Sequence, residues 1–113
     1  MKRVVIESPF AGGAAQRKRN MAYLRAAMAD CLSRDEAPFA SHALYTQPGV
    51  LNDLIPAERH KGIMAGFEWG RLADATVVYA DLGVSEGMSA GIANAVSEGR
   101  PVEYRSLPGW GAE

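Results

Sequence analysis

The sequence predicts a small α/β domain in which four parallel strands in the order 2-1-3-4 carry helices on both faces, a doubly wound sheet. Two observations lead there. Short β-branched runs alternate with longer stretches of helical periodicity, giving β-α-β-α-β-α-β with short connections, the signature of a parallel sheet. Right-handed crossovers then allow few strand orders. A chain of 113 residues has room for one core, so a single domain over residues 1–113 is expected.

The elements follow in order. Arg3-Val4-Val5-Ile6-Glu7 reads as a central strand, left through the loop Ser8-Pro9-Phe10-Ala11-Gly12-Gly13. From Ala14 to Ser33, Met21, Leu24, Met28, Cys31 and Leu32 recur at helical spacing. Ala37 to Ser41 is the second strand, with Pro38 tolerated near its start. His42 follows it, and Thr46 to Ile55, with Gln47-Pro48-Gly49 and Asn52-Asp53, forms a long loop of the kind that becomes a lid or binding segment. Pro56 opens a helix running to about Leu72, with Ile63, Met64 and Phe67 on its inner face and Trp69 off it. Thr76 to Ala80 is a buried strand, and Met88, Ile92, Ala95 and Val96 mark the helix after it. Pro101 to Arg105 is the fourth strand. In the aperiodic tail, Ser106 to Glu113, Trp110 must dock back or meet a partner.

Composition limits the function classes. Twelve Lys+Arg against thirteen Asp+Glu give no electrostatic case for nucleic acid. Cys31 is the single cysteine, so no intrachain disulfide can form and a reducing, cytoplasmic setting is expected. No apolar run reaches 18 residues, so no membrane partner is predicted. His42 and His60 have no acidic or cysteine neighbours at ligand spacing, so neither a metal nor a cofactor is expected. The two tryptophans lie off the clear apolar stripes, and a homodimer is expected to cover them.

The organising stretch is Asp81 to Gly99, a turn followed by a helix with Ser85 at its start. The hydroxyl can cap its own first turn. Equally, the free N–H groups beside Gly87 can face a phosphate or carboxylate. In a 2-1-3-4 sheet the crevice lies at the carboxyl ends of strands one and three, where the Ser8–Gly13 loop and the Ser85 turn meet. Arg17-Lys18-Arg19 near the start of the first helix either oppose its dipole, a cost that an anion at the loop would offset, or are solvated beyond the first turn where the dipole has faded.

The chain resembles the nucleoside 2-deoxyribosyltransferase-like superfamily, which has a flavodoxin- or Rossmann-like fold and includes deoxynucleoside-monophosphate and CMP N-glycosidases. The residues that carry the resemblance are the strand-Ser8-loop-Gly12-Gly13 entry and the run Glu68-Trp69-x-x-Leu72-Ala73-Asp74. Ser85-x-Gly87, Ala95, Gly99 and Pro101-Val102 complete it. In that family the first loop cradles sugar and base, and the serine at the second helix start contributes to phosphate binding. The resemblance, with the crevice placement, gives an expected ligand-binding set of Ser8, Phe10, Gly12, Gly13, Arg17, His42, Ser85, Gly87 and Met88.

Two departures bear on chemistry. The family's nucleophilic glutamate follows in a Ser-x-Gly-x-x-x-Glu pattern, which here reaches Gly91, or Ser89 if the register shifts by two. The aspartate that assists the leaving base falls on Gly66. Glycine supplies neither a nucleophile nor a proton. The expectation is therefore a nucleoside- or nucleotide-binding protein that keeps the crevice without the chemistry, as a sensor or sequestering protein. The alternative is an N-glycosidase or deoxyribosyltransferase with relocated acids, for which Glu86 and Asp81 are the nearest carboxylates. Gly91→Glu, alone or with Gly66→Asp, is expected to create base release if the crevice has room.

Overall fold

In a computed structural model, residues 1–111 are described; Ala112 and Glu113 of the tail lie outside the described residues. The elements are β1 (Lys2–Glu7), α1 (Ala14–Ser33), β2 (Glu36–Phe39), α2 (Ser41–Leu44), α3 (Pro56–Gly70), β3 (Ala75–Tyr79), α4 (Glu86–Ser97) and β4 (Val102–Arg105). The sheet is parallel throughout, in the order β2-β1-β3-β4. The expected topology is therefore present, with one addition. Ser41 to Leu44 form the short helix α2, which places His42 on a helical turn rather than in an extended strand end.

Strand alternation divides β1 between two environments. Val4 and Ile6 enter the apolar core under α1, with Tyr23, Leu24, Ala27, Val77 and Tyr79. Val5 and Glu7 face the other side, towards α3 and α4. The first crossover runs from β1 to β2 and the later ones run the opposite way, so a crevice opens outside the ends of β1 and β3.

Several expected inner faces differ. Leu32 of α1, Met64 of α3 and Val96 of α4 are exposed. In α1, Asn20, Tyr23 and Ala27 are buried with Leu24 and Cys31. In α3 the fully buried positions are Gly66 and Gly70, with Ile63 and Phe67 half-buried on the same side. Trp69 is exposed, whereas Trp110 docks back onto Tyr23 with ring centroids 5.1 Å apart.

A buried polar network lies on the α1 side. Arg105 donates to both oxygens of Glu36 at 2.8 and 2.7 Å and to the Tyr79 hydroxyl at 3.1 Å, and Tyr79 donates to Asp30 at 2.7 Å. The hydrogen bonds from Arg105 hold the Glu36 carboxyl below its usual range, so the pair stays ionised. It connects β2, β3, β4 and α1 on the face away from the crevice.

Candidate functional site

The crevice is a cavity of about 340 Å³ between β1, α2, α3 and α4, roofed in part by the loop after α2. This is within the roughly 300–1,000 Å³ typical of small-molecule sites. Its width comes from missing side chains. Gly62, Gly66 and Gly70 repeat every four residues along α3, Gly87 and Gly91 do so along α4, and all five line the cavity. A four-residue spacing puts them on one helical face.

The two positions left vacant by glycine are filled from elsewhere. A Cβ at residue 91 would collide with the Glu7 carboxyl, whose Oε1 is 2.7 Å from that point. A Cβ at residue 66 would stand 2.7 Å from the Ser41 Cβ. A carboxyl and a hydroxyl thus occupy the places that side chains at 91 and 66 would enter. Gly91→Glu cannot simply add a carboxylate, since one is already there.

Burial pushes the Glu7 carboxyl up to about 8, with the nearby positive charge of Arg100 opposing the rise. The Arg100 guanidinium is itself committed, donating from Nε to the Thr76 hydroxyl at 3.0 Å and from Nη1 to the Gly70 carbonyl at 2.9 Å. Among the described residues, no hydrogen bond from the protein reaches the Glu7 carboxyl and neither oxygen is sealed from the crevice. Burial favours the protonated form of this carboxyl, which faces the cavity.

Next to it, the Ser8 hydroxyl and His42 Nε2 are 2.9 Å apart. Burial pulls the His42 pKa down to about 4, so the imidazole is neutral. Phe10 meets His42 edge-on at 6.0 Å between centroids. The loop bearing Ser8 and Phe10 is held by buried Asn20, whose amide donates to the carbonyls of Phe10 at 3.2 Å and Ala11 at 3.4 Å.

At the α4 end, Ser85 caps the helix by accepting from the Met88 N–H at 3.2 Å. Among the described residues, no protein acceptor takes the N–H of Glu86 or Gly87. Arg59 of α3 lies over this turn, with Nη2 3.4 Å from where a Gly87 Cβ would be. No carboxylate pairs with Arg59 among the described residues. A guanidinium and open N–H groups at a helix start are donors of the kind that can receive an anion.

Of the residues expected from sequence, Ser8, Phe10, His42, Ser85, Gly87, Met88 and Glu86 line the cavity. Gly12, Gly13, Arg17 and Asp81 do not. Gly12 makes the turn into α1 at φ 143°, where a side chain would be strained, and Gly13 is the N-cap. Arg17 bonds the Gly12 carbonyl at 3.2 Å, lies 5.2 Å over the Phe10 ring and approaches Asp53 at 4.0 Å, so a protein carboxylate already faces it. Asp81 accepts from the Tyr23 hydroxyl at 2.8 Å and the Leu107 N–H at 2.7 Å, tying the tail to α1. Sequence reasoning missed Glu7, Asn20, Ser41, Arg59 and Arg100. Only Glu7 and Arg59 carried a signal: Glu7 ends a strand in a sheet whose strand ends form the crevice, and Arg59 lies in the helix that follows the lid loop.

Among the described residues, no group of three His, Cys, Asp or Glu side chains could hold a metal ion, and no helix is long and apolar enough to cross a membrane.

The arrangement defines a doubly wound α/β domain with a ligand-sized crevice at its topological switch point. The chain belongs to the family described as Domain of unknown function (DUF7768), whose model matches residues 2–105. A solved structure with the same fold is that of a 2-deoxyribosyltransferase from the psychrotolerant bacterium Bacillus psychrosaccharolyticus. The TM-score is 0.70 at 16% identity, over 98% of this chain and 77% of that one. No curated protein matches the chain.

Proposed function

We propose that the protein binds a nucleoside or nucleotide in this crevice, with the ligand's anionic group at the start of α4 and its sugar and base towards Glu7, Ser8, Phe10 and His42. The observation that carries this is the position of Arg59 over Gly87, where a guanidinium with no carboxylate partner among the described residues stands by the open N–H groups of a serine-capped helix. The end of the crevice at Ser8 and His42 suits an uncharged part of the ligand. It presents a neutral imidazole, a hydroxyl and an aromatic edge, and the fold is shared with a 2-deoxyribosyltransferase.

Calorimetric titration with nucleosides and their 5′-monophosphates tests the reading. The monophosphate should bind more tightly, and Arg59→Ala should remove most of that preference, roughly 1.5–3 kcal/mol for a hydrogen bond to a charged group. Ser85→Ala should cost less, since its hydroxyl already serves the cap. Equal affinity for both ligand classes, unchanged by Arg59→Ala, would place the anion elsewhere.

The glycines at 66 and 91 suggest a sensor or sequestering protein without chemistry. One observation favours the second reading, an N-glycosidase with relocated acids: a carboxyl and a hydroxyl fill both vacated places.

A further inference from the structure

Glu7 is an ionisable side chain that the architecture directs into the crevice. Strand alternation turns it out of the α1 core and into the crevice, and the absence of a side chain at residue 91 gives its carboxyl room against α4. The cation whose charge acts on it, Arg100, spends its Nε and Nη1 donors on Thr76 and Gly70. The acid is thus confined, partly shielded from water and free to hydrogen-bond a ligand.

We propose that Glu7 is the catalytic acid of this crevice, donating its proton to the leaving base as the glycosidic C–N bond of a bound nucleoside or nucleotide is hydrolysed. The proposal rests on the nucleoside-binding reading above. A water oxygen bonds to the anomeric carbon and the C–N bond breaks, its electron pair remaining on the base nitrogen, which takes the Glu7 proton. The proton lost by the water returns to the Glu7 carboxylate. One water is consumed, the products are free base and free sugar or sugar phosphate, and nothing is oxidised or reduced.

Two features suit Glu7 to this task. A proton donor must hold its proton at the working pH, and burial keeps the Glu7 carboxyl protonated up to about pH 8. Its neighbour His42, with a pKa near 4, does not compete for that proton. The other ionisable groups lining the crevice are Tyr45, Asp53, Glu58, Arg59, Glu86 and Arg100; of these, Arg100 is the one whose charge acts appreciably on Glu7.

The test is chromatographic detection of free base from a panel of ribo- and deoxyribonucleosides and their monophosphates, with the unmodified protein and Glu7→Gln. Glutamine is close in shape to a protonated glutamate, so the variant should fold and calorimetry should give it near-parental affinity. The expected result is base release by the parent, a loss of about 100-fold or more in kcat with little change in KM in Glu7→Gln, and a parental rate that falls as pH rises through about 8. Nucleotide binding without base release, or a Glu7→Gln rate equal to the parent's, would overturn the proposal and leave the binding reading standing. A parent that binds neither nucleosides nor nucleotides would remove both.

Discussion

Residues 7 and 91 share one volume, so neither can be understood alone. The Glu7 carboxyl fills the space that any side chain at residue 91 would need. Replacing an interior helical glycine by alanine ordinarily gains up to about 1 kcal/mol. Here Gly91→Ala should fail to deliver that gain, because the carboxyl must be displaced. In a Glu7→Ala background the space is open and the gain should appear. Urea denaturation of the four proteins of this cycle should give a coupling of roughly 0.5–3 kcal/mol. Additive changes would mean that the two residues do not compete for the space. The same juxtaposition explains what the sequence hid: glycine at 91 reads as a lost carboxylate along the chain, and the compensating carboxylate is 84 positions earlier, on another element.

At the scale of elements, β-branched strands, the Gly12-Gly13 turn and the Ser85 cap were legible because each is a local signal. The order of strands followed from crossover handedness. The inner face of α3 was legible only in part. Periodicity arguments assume that a helix buries its large apolar residues; in α3, Ile63 and Phe67 do face the crevice and Trp69 lies off it, but Gly62, Gly66 and Gly70 share the inward face and Met64 is exposed. The short helix α2 was missed for another reason: four residues are too few to show a period. Arg17 illustrates a third limit. Its sequence neighbourhood suggested an unpaired cation awaiting an anion, whereas the lid loop brings Asp53 to it from 36 residues away.

For the whole molecule, the crevice imposes a pH dependence on folding. The Glu7 pKa is raised from 4.5 to about 8 in the folded state. Below pH 4.5 both states hold the proton; as pH rises past it the unfolded chain ionises first, so stability is lost up to about pH 8, on the order of a few kcal/mol. His42 acts at the other limb. Its pKa falls from 6.5 to about 4, so stability is lost as pH drops below 6.5 and the unfolded chain takes up a proton. Glu7→Gln should therefore stabilise the protein relative to the parent at pH 8, by denaturant midpoint, with the advantage shrinking towards pH 5. An advantage equal at both pH values would contradict the buried, protonated state of Glu7.

The central claim is that one crevice, bounded by the end of β1 and the start of α4, receives a nucleoside or nucleotide. At 12.1 kDa the protein is well suited to amide-resolved nuclear magnetic resonance during titration with a nucleoside 5′-monophosphate. Saturable shifts concentrated at Glu7, Ser8, Phe10, His42, Arg59 and Ser85 to Met88 are the predicted result. Shifts clustered elsewhere on the surface, or none across a panel of bases, would contradict it.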